Sequence, residues 1–568
     1  MLRRVVATIA FMLLAGAALG APMQANAQVT AERLANAAKE PANWLSYSGE
    51  LSGQRYSSLS QITPANIGSL KLKWVYQAAQ QGGWQTSPLV VDGVMYITQR
   101  PNDVAALDAK TGRVFWIYHH KLDPVQIVCC GANNRGLAIL DGTLYMGTLD
   151  ARLVAIDAKS GKPLWITKVG DNKAGYSITL APLIVKDKVV VGVGGGEYGI
   201  RGYVSAYVAK TGKEAWKTYT IPAPGEPGSK SWQTCPDKAQ SKVYCDPDSW
   251  KHGGGPVWTT GTFDPDLNLT YWGAGNPGPD FNDLQRPGNN LYTDSVVALD
   301  ADTGQIKWHY QFTPKDTHDY DATQVPVLAD INWKGQPLKA MLFANRNGVF
   351  YVLNRATGQF LLGKPYVKVT WMNGFDKQGH PILTPQPVGQ PNWPGGHGGT
   401  NWYSPSYSPH TGLFYVSAWE HNFSLIVPPT PYDYKPGRGF EGGTPPPQGV
   451  VPGAPGLAGL GARAPVNEWT EVAGTGAVLA IDPLTGDRKW RFPMTDVTES
   501  GILTTGSDLL FTGGREGFFQ VLNARDGSLL WKTNLGAGIM NGPITYEVDG
   551  KQYVAVIAGL SLSVFAVE

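Results

Sequence analysis

Cysteine is scarce in this chain, with four in 568 residues, which excludes a disulfide-scaffolded domain. None precedes Cys129, so the N-terminal segment carries no lipid-accepting cysteine. No Cys-x-x-Cys-His occurs anywhere, and that excludes covalently attached haem. Charge is also sparse, at 16% of residues, and nearly balanced at +2, which gives no basis for binding nucleic acid or an anionic surface. What the chain has in excess is 69 Gly, 42 Pro and 19 Trp, a composition suited to tight turns around aromatic anchors and not to a helical protein.

The apolar run 5–19 is short of the roughly 20 residues that cross a bilayer. Arg3 and Arg4 precede it and Ala25-Asn26-Ala27 follow, so residues 1–27 read as a cleavable export signal and the mature protein as periplasmic. Loss of Arg3 and Arg4 takes the formal charge from +2 to zero.

A short phrase, Asp/Asn-x-x-Thr/Ser/Asp-Gly, usually with Trp four residues after the Gly, recurs through the chain. Its copies end at Gly112, Gly161, Gly212, Gly304, Gly358, Gly486 and Gly527, followed by Trp116, Trp165, Trp216, Trp308, Leu362, Trp490 and Trp531. Two are imperfect: Val208 replaces the acid in one and Leu362 the Trp in another. Uninterrupted copies lie 41 to 54 residues apart, the length of a four-stranded blade. Each phrase sits between alternating apolar runs, so it reads as a strand-joining turn. Gly takes the positive-φ position, Asp or Asn bonds the following amides, and the Trp packs a neighbouring blade. A closed ring removes the edges that an open sheet would expose. The fold is therefore all-β, a single propeller of seven or eight blades over 28–568, ending in a last blade strand at 553–567. Insertions interrupt it at 222–255 and 427–465, the second being either a cap over the ring or a flexible excursion.

Cys129 and Cys130 are adjacent, and in an oxidising compartment they can join in an eight-membered ring, remain thiols, or pair separately with Cys235 and Cys245. Cys235 and Cys245, ten apart within one insertion, look like a loop staple, a Cys235–Cys245 disulfide. Acidic and amide residues gather at Glu197, Asn276, Asp319 and Asp321. Asp319 and Asp321 are two apart, so an extended strand would point both carboxylates one way, which is costly without a cation between them. The four offer only oxygen, a set suited to Ca²⁺ or a larger trivalent ion. Asp316 reads as a turn former.

Seven motifs together resemble the quinoprotein alcohol dehydrogenases across essentially the whole mature chain. They are Cys129-Cys-Gly-Ala-Asn-Asn-Arg-Gly136, Gly195-Gly-Glu-Tyr-Gly-Ile-Arg-Gly202, Gly253-Gly-Gly-Pro-Val-Trp258, Gly273-Ala-Gly-Asn-Pro277, Thr313-Pro-Lys-Asp-Thr-His-Asp-Tyr-Asp321, Asn345-Arg-Asn-Gly348 and Gly399-Thr-Asn-Trp402. The resemblance implies an eight-bladed propeller that oxidises alcohols with pyrroloquinoline quinone (PQQ) and a metal ion. It implies a vicinal Cys129–Cys130 disulfide over one face of PQQ and Trp258 on the other. Gln85, Arg135, Thr148, Thr179, Gly195, Gly196, Arg346 and Asn401 would surround the cofactor, although the family often has Glu where Gln85 stands. Glu197 and Asn276 match metal ligands, Asp319 the general base, and Asp321 the extra carboxylate of lanthanide-dependent members, with Ca²⁺ as the alternative ion. Without its own haem, the chain would pass electrons to a separate soluble c-type cytochrome; a homodimer is compatible with the resemblance. Trp84, Trp402 and the 427–465 loop would form an apolar rim for the substrate. Sugars, polyols and aldehydes are alternative substrates, and a non-catalytic propeller scaffold of outer-membrane assembly is a remote alternative.

Overall fold

The computed structural model describes residues 28–79, 82–232, 246–420, 422–430, 433–442, 448–449, 476–494 and 498–568. The expected signal at 1–27, the Cys235–Cys245 staple and most of the second insertion lie outside the described residues. Among the described residues no helix is long and apolar enough to cross a membrane.

Eight blades of four antiparallel strands form a ring, and one of them gains Tyr56–Ser57 as a fifth strand, paired in parallel with Leu503–Thr505. In six of the seven blades that run straight through the chain the first strand is wholly buried, Val327–Trp333 being the exception, and in all seven the fourth strand is partly exposed. Leu89–Val91 is wholly buried, for example, whereas Val114–Tyr118 presents Val114, Phe115 and Ile117 to solvent. The eighth blade is composite. The long C-terminal run, expected as one strand, is two, Lys551–Ala558 and Ser561–Val567, because the chain turns at Gly559-Leu560. Leu70–Gln77 from the other end of the chain then adds the outermost strand, pairing Leu70 with Val567 through Gln77 with Ser561. Closing the ring with strands from both ends ties the chain's extremities into one sheet.

The repeated phrase joins the third and fourth strands of its blade, as Asp157 to Gly161 does between Arg152–Asp157 and Pro163–Lys168. In the first copy, Asp108 Oδ1 accepts from the amides of Lys110 and Thr111 at 2.9 Å each. Trp116, Trp165, Trp216, Trp308 and Trp490 each dock on the phrase of the next blade: Trp116 Nε1 donates to the Ala158 carbonyl at 3.2 Å, and its ring covers Gly161. Gly161 has φ +71°, and a Cβ there would stand 2.5 Å from the Trp116 ring. Gly142 has a similar φ of +73° but open space around it. Gly142→Ala should therefore cost about 1 kcal/mol through backbone strain alone, and Gly161→Ala about 1–3 kcal/mol more through overpacking. Denaturant midpoints test this, and equal midpoints for the two variants would contradict the docking account.

In an antiparallel blade the connection from the second to the third strand and the connection to the next blade emerge at the same end. The repeated phrases occupy the opposite end. Every predicted site residue lies in one of those first two connection types, so all share one face of the ring. The 427–465 insertion falls between Leu413–Trp419 and Gly476–Ile481, second and third strands of one blade, and so rises from that same face.

Candidate active site

On this face a cavity of about 320 Å³ opens, in the size range of small-molecule sites. It is lined by Gln85, Cys129, Cys130, Arg135, Thr179, Gly195, Glu197, Trp258, Asp319, Asp321, Arg346, Asn401 and Trp402, among others. Thirteen residues that lie far apart in sequence thus meet in one place. Cys129 and Cys130 form the vicinal disulfide, and the Cys130 sulfur stands 4.0 Å from Glu197 Oε1.

One end of the cavity is cationic. Arg135 is 5% exposed, and its guanidinium lies 5.0 Å over the Trp258 ring and 4.9 Å over Trp402. Its Nη1 donates to Thr179 Oγ1 at 2.9 Å and to the Trp258 carbonyl at 3.3 Å, while its Nε has no partner. Arg55, also fully buried, shows what a structural arginine looks like here, with five donor contacts to Tyr47, Ser87, Ile502, Gly542 and Pro543. Burial lowers the Arg135 pKa to about 10, and no carboxylate offsets it. A buried cation with unused donors is expensive unless a ligand completes it. Gln85 Oε1 is also buried without a partner in the same cavity.

The other end is acidic. Asp319 and Asp321 both bind Arg346: Asp319 Oδ2 accepts from Nη2 at 2.7 Å and Asp321 Oδ2 from Nη1 at 2.9 Å. The two carboxylates converge on the Arg346 guanidinium, and they do so from a loop, not along a strand. Asp319 has φ +64° in a loop before Val327–Trp333, and that left-handed residue is what turns both carboxylates to one side. Asp321 also accepts from Trp258 Nε1 at 3.1 Å and from the Asn276 amide at 3.0 Å. Room for it comes from Gly275, where a Cβ would stand 2.0 Å from Asp321 Oδ1. Asp316 behaves as a turn former, its carboxylate accepting from the amides of His318 and Tyr320.

Burial pushes the carboxyls of Glu197, Asp319 and Asp321 upward, Glu197 to about 7. The neighbouring acids add to this, while Arg346 opposes it. One guanidinium leaves this group short of positive charge, and its all-oxygen donors suit a hard cation. Among the described residues, the metal-type side chains with ligand atoms within 4.8 Å of one another are Cys129, Cys130 and Glu197, whose sulfurs are joined and unavailable as thiolates. Glu197, Asp319 and Asp321 do not all draw that close to one another, and Arg346 spans the two aspartates.

Four expected residues stand outside the cavity wall, one of them Asn276, whose backbone amide donates to Asp321 behind it. Thr148 is fully buried and its hydroxyl donates to Asp150 at 2.5 Å. Trp84, expected on the rim, is buried with its indole donating to the Thr98 carbonyl at 2.6 Å. Gly196 lies behind the wall, beside the Asn276 amide oxygen. Conversely, the sequence reading missed His397, Tyr403, Glu499 and Met540, which line the cavity from the last blades. None carries a motif that singles it out. Part of the 427–465 loop reaches the site: the Phe440 amide donates to the Glu197 carbonyl at 2.6 Å, and Tyr434 stacks on His252 at 4.4 Å.

The chain matches the family described as "Glucose/ethanol/alcohol dehydrogenase, beta-propeller domain" of PQQ enzymes over residues 44–371 and 469–554. It is 38% identical to the quinohemoprotein alcohol dehydrogenase ADH-IIG of Pseudomonas putida, over 95% of this chain and 75% of that one. It is 37% identical to the quinoprotein alcohol dehydrogenase PedH of Pseudomonas putida, over 96% of this chain and 90% of that one. A europium-containing methanol dehydrogenase superposes with TM-score 0.82 at 32% identity, covering 94% of this chain and all of that one. With a vicinal disulfide, an indole, a buried arginine and an acid cluster around one propeller cavity, this chain belongs to the PQQ-dependent alcohol dehydrogenase family.

Proposed function

We propose that this chain oxidises alcohols to aldehydes or ketones in the periplasm. Glu197, Asn276, Asp319 and Asp321 would hold a lanthanide(III) ion, with Ca²⁺ as the alternative. The observation that carries the reading is Arg135, a buried guanidinium without a counter-anion, in the same cavity as the carboxylates of Glu197, Asp319 and Asp321. Such a cavity calls for an anionic ligand at one end and a cation at the other.

When bound, PQQ supplies a flat quinone that accepts hydride and the cation supplies the charge that polarises it. The chain's own residues do the rest. Cys129–Cys130 and Trp258 bound the cavity with flat, rigid groups, while Arg135, Thr179, Gln85 and Asn401 supply donors and acceptors for carboxylates and quinone oxygens. Asp319 takes the proton of the substrate hydroxyl. Its Oδ2 lies 2.7 Å from Arg346 Nη2, and that guanidinium opposes the burial and like charges that would otherwise keep the carboxyl protonated. Electrons leave on a separate soluble c-type cytochrome. Sugars, polyols and aldehydes form the second substrate class, and a substrate panel separates them from simple alcohols.

Arg135→Met tests the cofactor reading by equilibrium binding of PQQ to the stripped protein. Removing a charge-assisted contact should weaken PQQ by about 10- to 100-fold. Unchanged affinity would contradict the assignment of the cationic end.

A further inference from the structure

Asn276 and Asp280 stand at the two ends of one turn, and each has a buried polar atom without a hydrogen-bond partner. Asn276 is 4% exposed and its Nδ2 has none; Asp280 is 3% exposed and its Oδ1 has none. The first is a lone donor and the second a lone acceptor. The orientation of the Asn276 amide is legible from its other end, because Oδ1 lies 3.6 Å from where a Cβ on Gly196 would stand. The carbonyl therefore faces the Gly196–Tyr198 turn that carries Glu197, and Nδ2 points away from it.

The backbone around this turn is pinned. The Gly255 amide donates to the Asn276 carbonyl at 2.8 Å, and the Gly278 amide to that of Gly253 at 2.9 Å. Arg286 Nη2 donates both to the Pro279 carbonyl at 2.8 Å and to the Asp316 carbonyl at 2.6 Å, tying the residue before Asp280 to the loop that bears Asp319. The Phe281 amide donates to the Glu441 carbonyl at 2.9 Å, which lays the 433–442 strap over the same spot. Burial raises the Asp280 pKa well above the usual carboxylate range, Asp319, Glu197 and Glu441 add to it, and the Asn276 amide offsets it.

We propose that Asp280 is a positioning residue. Once the cation is bound, the free Asp280 Oδ1 accepts from the free Asn276 Nδ2 and so locks the amide with its Oδ1 turned towards the cation held by Glu197. An unpinned amide flips without changing its shape and would present N–H groups to the ion. Outer partners of this kind are worth about 10- to 100-fold in metal affinity. The inference rests on the reading of Asn276 as a cation ligand.

The test is a titration of stripped protein with Tb³⁺ by sensitised luminescence, together with Eu³⁺ decay times in H₂O and D₂O to count bound waters. Asp280→Leu, which removes the acceptor, should weaken Tb³⁺ by about tenfold or more and add a bound water as Asn276 leaves the ion. Asp280→Asn keeps an acceptor oxygen and should restore binding close to wild type. If Asp280→Leu does not fold, Asp280→Ala carries the same expectation. Wild-type affinity and hydration in the Leu or Ala variant would overturn the inference, and so would equal losses in Asp280→Asn, which would make Asp280 a charged ligand instead. Failure of the wild-type protein to bind Tb³⁺ would overturn the cation site itself, a distinct result.

Discussion

Asp319→Asn should lower kcat/KM for alcohols by about 10²- to 10⁴-fold, the usual contribution of a general base. The substitution keeps the shape of the side chain and an oxygen able to face Arg346 Nη2, which stands 2.7 Å from Asp319 Oδ2. It removes the negative charge that takes the proton. PQQ affinity should stay within a few-fold of wild type, because the cofactor's carboxylates are assigned to the Arg135 end. The loss should appear in kcat more than in KM, since the proton is transferred only on the way to the transition state. Turnover at wild-type rates would remove Asp319 from the role.

Asp321→Ala should weaken La³⁺ far more than Ca²⁺. A carboxylate facing a trivalent ion gains one unit-charge interaction more than it gains with a divalent ion. At an effective dielectric near 20 and a separation of about 4 Å such an interaction is on the order of 4 kcal/mol, before screening and desolvation reduce it. A differential loss of about 100-fold, or roughly 2.7 kcal/mol, is the conservative expectation. Asp321 is well placed for it: buried, two residues from Asp319, and bonded to Arg346, Trp258 and the Asn276 amide. Those bonds also mean that the variant frees the Trp258 indole, so thermal midpoints must accompany the metal titrations. Equal losses for both ions would assign Asp321 to holding Trp258 and Arg346 in place, and full lanthanide-dependent activity in the variant would refute its part in metal choice.

Much of the fold was legible because a blade needs local signals that repeat. Gly161 must be glycine to take φ +71° beneath Trp116, and the same pair of constraints recurs at Gly212 beneath Trp165 and at Gly527 beneath Trp490. The closing strand Leu70–Gln77 was not legible, since it carries no phrase of its own and its partner, Ser561–Val567, stands at the far end of the chain. At the site, Asp319 and Asp321 were visible as a pair, but the left-handed Asp319 that turns them together was not, because spacing alone assumes extended backbone. Thr148 and Trp84 sit in connections on the correct face, yet their polar atoms are taken up by Asp150 and by the Thr98 carbonyl. Position on a face does not decide which way a side chain turns. Asp280 drew no notice in the sequence, a lone acid in a Pro- and Gly-rich turn, and only its burial next to the acid cluster reveals it.

Dye-linked oxidation of an alcohol panel by metal-stripped protein, reconstituted with PQQ and either La³⁺ or Ca²⁺, tests the central claim most directly. Turnover with La³⁺ and little with Ca²⁺ is the predicted result. Turnover with Ca²⁺ alone would contradict the lanthanide assignment, and no PQQ binding with either ion would contradict the catalytic reading of the cavity.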